Sequence, residues 1–262
     1  MAGTMAVRVS ALITSALNQP LPPALTAYAG AEPRAYTQRG MELFKRNKIA
    51  ESIKDFDRTT ALDASMKPFM WQRGLSLFYV ERLADAMVQF EVDVAVNPND
   101  TEESIWRWLA QVRLQRSAAG GGLTAAEAVA GARADLLVVG RDSRPVMRAA
   151  MELFAGGGTL EALDTAGGHG GADGGASAAA ATVGAGRAAQ QSQHDRFYAD
   201  LYIALYQEAV GDDTAALTAL EKACGSPYGP ASGDYMWHLA LVHATVRGWV
   251  ADGPAAAQKA EL

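Results

Sequence analysis

The residue types best suited to catalysis or metal binding are few in this chain: four histidines, His169, His194, His238 and His243, and one cysteine, Cys224. A zinc pair on a helix needs two histidines at i, i+4, so that both ring nitrogens face one way. His238 and His243 are five apart and fall on different faces. A single cysteine excludes a disulfide framework, a CxxC redox pair and a thiolate zinc site. Cys224 has no base close to it in sequence, and its position suits a small core residue. The run Gly156-Gly157-Gly158-Thr159, placed before a helical stretch, would offer backbone amides to an anion. It lacks the Lys-Ser/Thr ending of a P-loop and no strand pattern precedes it, so it reads as a flexible helix cap. The pairs Asp55/Asp57 and Glu102/Glu103 have ordinary helix-surface readings, and no GxSxG is present. We expect no catalytic residue, no metal site and no cofactor.

The elements that would position such groups are helical. The chain has 262 residues, 49% of them apolar and 20% charged, enough for an ordinary core. Its formal net charge is −6 and it shows no basic stripe, which argues against a nucleic-acid partner. The longest uncharged stretch, Val9 to Ala31, is interrupted by Pro20, Pro22 and Pro23, so no integral membrane span is expected. Residues 1–31 carry one charge, Arg8, and are read either as a targeting segment or as an apolar helix, Met5 to Leu17, that caps the first of the helices after it. The chain is expected in the cytoplasm, or in an organelle such as a plastid or mitochondrion if residues 1–31 are a transit peptide.

An internal repeat organises the rest. Residues 33–64 and 67–98 align at an offset of 34, with eight identities in 32 pairs: Gln38/Gln72, Arg39/Arg73, Gly40/Gly74, Leu43/Leu77, Phe44/Phe78, Ala50/Ala84, Phe56/Phe90 and Ala61/Ala95. Glycine inside a helix costs about 1 kcal/mol against alanine, a cost that makes sense where a partner helix must come close. Ser52 and Ala86 supply small residues on that partner, while Phe56 and Phe90 are expected to stack on the neighbouring unit. Pro98 ends the second copy. A third copy is expected over Ala199 to Pro227, with Ala204 at the small position, Gly211 at the turn, and Ala216, Leu220 and Ala223 on the second helix.

Between these copies lie further helices. One is expected over Asn99 to Arg116, capped by Asp100 or Thr101 and carrying the stripe Ile105, Trp108, Leu109 and Val112; Trp108 stands where the repeat wants a small residue. Others are expected over Thr124 to Val139, Arg144 to Phe154, Thr159 to Leu163, Gln193 to Val210, Thr214 to Cys224, Tyr235 to Arg247 and Pro254 to Glu261. Residues 166–190 contain 10 alanines and 8 glycines and are expected to be a disordered insertion. The organisation expected is thus a segment 1–31, repeats and irregular helices over 32–165, the insertion 166–190, and a repeat-like end over 191–262.

A period of 34 with these small and aromatic positions resembles the tetratricopeptide (TPR) repeat. The order of pieces adds to this: Asn97-Pro-Asn-Asp100, Ser104-Ile-Trp-Arg-Trp-Leu-Ala-Gln111, the helix around Met147 to Phe154, Phe197-Tyr-Ala-Asp-Leu-Tyr-Ile-Ala204, Gly211-Asp212 and a last helix through Tyr235 to Trp249. Over roughly residues 33–249 the chain is similar to the bacterial TPR lipoprotein NlpI group. The resemblance implies an all-α, helix-turn-helix solenoid with an irregular middle, a tendency to form homodimers, and an adaptor or scaffold role without chemistry. It departs from that group in lacking an N-terminal lipobox cysteine and in carrying the 166–190 insertion.

In a TPR array the first helix of each hairpin lines a concave groove where a protein or peptide partner binds. By repeat position the first copy contributes Arg34, Thr37, Met41, Phe44 and Lys45, and the second Trp71, Leu75, Phe78 and Tyr79. Thr37 and Met41 stand where a chaperone-type carboxylate clamp would need Lys and Asn, which argues against that use. The apolar strip Trp71 to Tyr79 would suit an amphipathic partner helix or, equally, residues 5–17 of the same chain or a second copy. Two other readings stay open: a ligand or enzymatic site in the irregular middle around Trp106 to Phe154, and a structural subunit of a larger assembly.

Overall fold

The computed structural model describes residues 2–26, 32–118, 122–169 and 183–249. Helices account for the regular structure, and no strand is present among the described residues. In chain order they are α1 (Ala2–Leu17), α2 (Pro23–Thr26), α3 (Pro33–Phe44), α4 (Ile49–Leu62), α5 (Trp71–Tyr79), α6 (Leu83–Val96), α7 (Thr101–Ser117), α8 (Ala125–Ala134), α9 (Pro145–Ala155), α10 (Leu160–Asp164), α11 (Val183–Val210), α12 (Asp213–Cys224), α13 (Tyr228–Ser232) and α14 (Tyr235–Val246). The chain divides into two compact units, one of residues 1–140 with 241–262, the other of residues 141–240.

In the first unit consecutive helices pack pairwise, α3 on α4, α4 on α5, α5 on α6, α6 on α7 and α7 on α8. The α3–α4 and α5–α6 hairpins are locked in the same way. A Cβ built on Gly40 would lie 2.8 Å from the Phe56 ring, and one on Gly74 would lie 2.6 Å from the Phe90 ring. The glycines are there because the phenylalanines of the same hairpin press on the backbone at those points. The contacts found for Phe56 and Phe90 are thus with the glycines of their own hairpins. Both hairpins also close with one turn. The amides of Asn47 and Lys48 reach the Phe44 and Leu43 carbonyls, and those of Glu81 and Arg82 reach Phe78 and Leu77. This is the Schellman pattern, with Asn47 (φ 58) and Glu81 (φ 62) in the left-handed region that glycine prefers.

Ion pairs follow the same spacing. Arg39 makes a two-pronged contact with Asp55 at 2.6 and 2.7 Å, and its counterpart Arg73 reaches Gln89 at 3.3 Å, each on the second helix of its own hairpin. Arg73 also reaches back to Asp57 at 2.7 Å, and Arg107, 34 residues on, reaches back to Glu91 at 3.1 Å. Helix α7 therefore continues the register although Trp108 replaces the glycine. The size relation is reversed there: the large buried ring is on the first helix, and the buried residues of α8 are Ala128, Val129 and Ala132.

Several caps appear where side chains satisfy the free amides of a helix start. Asp100 accepts from Glu102 N at 3.0 Å, Thr159 caps α10, and Thr124 with Glu127 forms a capping box on α8. Helix α8 stops at Ala134, five residues short of the expected end, and Leu136 to Val139 run on without regular structure. Arg107 Nη1 donates to the Asp135 carbonyl at 2.9 Å, which satisfies the terminating backbone from outside the helix. Helix α1 buries Val9, Ile13 and Leu17, one residue per turn on a single face.

The second unit contains the third hairpin, α11 with α12. Gly211 (φ 93) supplies the left-handed turn residue, and Ala204, Ala216, Leu220 and Ala223 are buried as the repeat requires. Helix α9 packs on α11, and α13, which the sequence did not announce, also packs on it. Most of the expected insertion, residues 170–182, lies outside the described residues, as does the helix expected over Pro254 to Glu261. Within 166–190, Val183 to Gln190 are the opening turns of α11, in keeping with the high helix propensity of alanine.

Candidate functional site

The first helices of the first two hairpins are α3 and α5. Arg34 is exposed, and Thr37, Met41 and Lys45 are half-buried. Thr37 is turned into its own hairpin: its hydroxyl lies 3.3 Å from the Pro33 carbonyl and 3.2 Å from Thr59 Oγ1. The Met41 sulfur accepts from Gln72 Nε2 at 3.9 Å, and Lys45 Nζ pairs with Glu42 at 3.0 Å.

On α5, Trp71 is half-buried, while Leu75, Phe78 and Tyr79 are buried. The chain itself covers the last two. The Trp106 ring stands edge-on to Phe78 at 5.3 Å and tilted to Tyr79 at 6.3 Å. The Tyr79 hydroxyl bonds His243 Nδ1 at 3.0 Å, and the two rings meet edge to face. The Arg247 guanidinium lies 5.9 Å over both Phe78 and Tyr79, and that of Arg113 lies 5.8 Å over Phe78. Phe44 lies 5.9 Å from Tyr79 and is buried with it. The nine groove positions named from sequence thus separate, with Phe44 buried. Leu75, Phe78 and Tyr79 form an interior wall covered in part by residues 164 or more positions further along the chain. Arg34, Thr37, Met41 and Trp71 remain at or near the surface, and Lys45 is held by Glu42.

Two groups with chemical character were not foreseen from the sequence. In the second unit His194 Nδ1 lies 2.9 Å from Asp195 Oδ1, with its ring 4.5 Å from that of Tyr198 and edge-on to Tyr228 at 5.4 Å. Both tyrosine hydroxyls donate to Asp234 Oδ2, at 3.1 and 2.7 Å. A histidine–carboxylate pair is half of a base relay, yet the neighbouring hydroxyls are committed to Asp234. The cluster fastens α11 to α13 and to the turn at Gly233. In the first unit, Asp93 on α6 and Glu103 in the first turn of α7 are buried, and Asp93 Oδ2 and Glu103 Oε2 have no hydrogen-bond partner. Burial pushes Asp93 up to about 7, against the Gln89 and Met70 N–H donors that favour its charged form. Burial, with Asp100, Glu102 and Asp93 close by, pushes Glu103 up to about 9. The signal that could have found Asp93 was the offset of 34, which puts it where the first copy has Thr59; Glu103, read from the sequence as a helix-surface residue, is buried instead.

Cys224 is fully enclosed, and burial raises its thiol far above the usual range, so it holds no thiolate at neutral pH. Among the described residues no group of three or more His, Cys, Asp or Glu side chains is placed to hold a metal ion. No described helix is long and apolar enough to cross a membrane. No protein-family model matches the chain, and no match is found among curated proteins.

Proposed function

We propose that this chain is a TPR-type helical-repeat protein that acts as a non-enzymatic adaptor, holding a protein or peptide partner against the inner helices of its first two hairpins. The observation that carries the reading is the repeated register. The Gly40–Phe56 and Gly74–Phe90 locks, the Arg39, Arg73 and Arg107 ladder and the paired turns at Asn47 and Glu81 all recur at a spacing of 34. Modules that stack in such a register bury one face on each other and leave a continuous surface for another polypeptide. The resemblance to the NlpI group supports the same reading.

The surface available to the partner is the outer edge of the groove: Arg34, Thr37, Met41 and Trp71. The wall formed by Leu75, Phe78 and Tyr79 supports it from within. An exposed arginine on α3 and a half-buried tryptophan at the start of α5 suit a partner segment with an apolar anchor and a carboxylate. The test is capture from an extract of the native source on immobilised chain, wild type against Trp71→Ala and Arg34→Glu, with quantitative mass spectrometry. A protein depleted by both substitutions is the expected result. Equal recovery of every captured protein on all three baits overturns the groove reading.

A further inference from the structure

Two buried acids sit at the joint where α6 packs on α7: Asp93, 2% exposed, and Glu103, 6% exposed. Each keeps one oxygen without a hydrogen-bond partner, Asp93 Oδ2 and Glu103 Oε2. Gln89 Nε2 donates to Asp93 Oδ1 at 3.0 Å and the Met70 amide also donates to Asp93, while Glu103 is served by its own amide. The surrounding charges do not balance the pair. Arg73 of α5 acts on Asp93 but is bonded to Asp57 at 2.7 Å and to Gln89 at 3.3 Å. The hydroxyl of Tyr79, also on α5, is taken by His243. The 3-10 segment Ala64–Phe69, packed on α6, meets Gln89 through the Lys67 carbonyl at 2.8 Å. Arg107, one turn beyond Glu103, is bonded to Glu91, Asp135 and Gln111. The buried residues of α8 are Ala128, Val129 and Ala132, so that helix brings no titratable group to its buried side. What acts on the Glu103 carboxyl is acidic: Asp100, Glu102 and Asp93.

Such a pair is stable while protonated and costly once ionised, because the charges meet neither bulk water nor an uncommitted cation. The border of the joint nearest to water is the start of α7, since residues 95–99 before it are exposed. That end is held by short polar ties. Asp100 Oδ1 takes the Glu102 amide at 3.0 Å, Ser104 Oγ donates to the Leu137 carbonyl at 2.8 Å, and the Pro98 carbonyl takes the Gly140 amide at 2.5 Å. Leu136 to Val139, at the far side of two of these ties, have no regular structure. We propose that the start of α7 is a proton-controlled latch: when Asp93 and Glu103 lose their protons, residues 101–106 come away from α6 and open to water while the α3–α4 hairpin stays folded. Trp106 rides on this stretch, so its cover over Phe78 at 5.3 Å and Tyr79 at 6.3 Å is released with it. Once open to water both acids return toward the ordinary carboxylate range, so the open form binds fewer protons and rising pH favours it. Asp93 contributes up to about pH 7 and Glu103 up to about pH 9. The latch does not depend on the adaptor reading.

The test is hydrogen exchange of the full chain, read by mass spectrometry at about pH 6 and about pH 8, with each rate compared with its intrinsic value at that pH. Amides in 105–110 of α7 are expected to lose at least about tenfold in protection between the two pH values. At the higher pH they should be at least about tenfold less protected than amides in 53–59 of α4. Dilute urea speeds openings that expose much surface, so it should accelerate 53–59 and leave 105–110 nearly unchanged. Glu103→Gln should remove most of the pH-dependent loss, and Asp93→Thr with Glu103→Gln should remove the rest. Both substitutions put an uncharged side chain in place of a buried acid, so the fold is kept. Glu51→Gln, on the exposed side of α4, should leave the loss unchanged. The proposal is overturned if 105–110 and 53–59 are equally protected at the higher pH, since the acids are then released only by global unfolding. It is also overturned if the protection of 105–110 does not change with pH, or if the double substitution leaves the loss in place.

Discussion

The α3–α4 and α5–α6 hairpins are built on one frame and finished differently. They share the glycine-on-phenylalanine lock, the left-handed turn and the arginine that ties the two helices together. They differ at the positions the frame leaves free. Lys45 is matched by Tyr79, Thr59 by Asp93, Lys54 and Arg58 by Val88 and Val92. The first hairpin is mixed and charged on both faces. The second turns Val88 and Val96 outward on α6, has Phe78 and Tyr79 covered by Trp106, His243 and Arg247, and carries a buried acid. Residues common to both hairpins report what a two-helix module needs to stack, and residues that differ report what this chain does with each module.

The shared part should break most severely. Phe56→Ala and Phe90→Ala each empty a fully buried ring site beside a glycine backbone and should cost about 3–5 kcal/mol. Gly40→Ala and Gly74→Ala gain about 1 kcal/mol of helix propensity but force a methyl into those rings. The net loss expected is about 1–3 kcal/mol, larger at Gly74, where the approach is 2.6 Å against 2.8 Å at Gly40. Urea melts followed by tryptophan fluorescence read this directly, because four of the five tryptophans, Trp71, Trp106, Trp108 and Trp249, belong to the first unit. Equal tolerance at both glycines would mean that the rings swing aside and that the lock is not what sets the register.

A smaller effect should separate the hairpins by pH. Asp93 and Glu103 have folded-state pKa values of about 7 and about 9, above the ordinary 3.8 and 4.5. The folded chain holds these protons after the unfolded chain has released them, so stability falls as pH rises. Asp93 acts from about pH 4 to 7, and Glu103 acts from about 4.5 to 9. Asp93→Thr, which installs the first hairpin's residue, should remove part of the slope below about pH 7 and raise stability at pH 8 by about 1–3 kcal/mol. Glu103→Gln should flatten the remainder between pH 7 and 9. Parallel pH curves for wild type and Asp93→Thr would show that Asp93 is charged and solvated in the folded chain.

The helical frame was legible because its signals are local: a fixed offset, glycines at matching places, caps such as Asp100 and Thr159 directly before a helix. The burial of the residues assigned to the proposed groove was legible only in part, and the reason is distance along the chain. Leu75, Phe78 and Tyr79 have the same spacing whether they face a partner or the interior, and what covers them, His243 and Arg247, is supplied from the far end of the sequence. The arginine at 107 was equally visible at the repeat offset but was obscured by Trp108, which breaks the small-residue rule while leaving the ion-pair rule intact.

The finest distinction lies in the turns. Asn47 and Glu81 hold left-handed backbone at a cost of about 1 kcal/mol relative to glycine, the residue the third hairpin has there as Gly211. Asn47→Gly should gain about 1 kcal/mol, because it also removes an amide oxygen that is buried without a hydrogen-bond partner. Glu81→Gly should gain less, since the Glu81 carboxylate accepts from Arg113 Nε at 2.8 and 2.9 Å and that contact is lost. The pair is partly exposed, which limits its worth to a few tenths of a kcal/mol. Denaturation midpoints of the two variants measured side by side decide the point. If Glu81→Gly gains as much as Asn47→Gly, the ion pair contributes nothing and Arg113 is kept for its place over the Phe78 ring. If Glu81→Gly destabilises, the pair outweighs the backbone strain, and α7 is fastened to the second hairpin by charge as well as by packing.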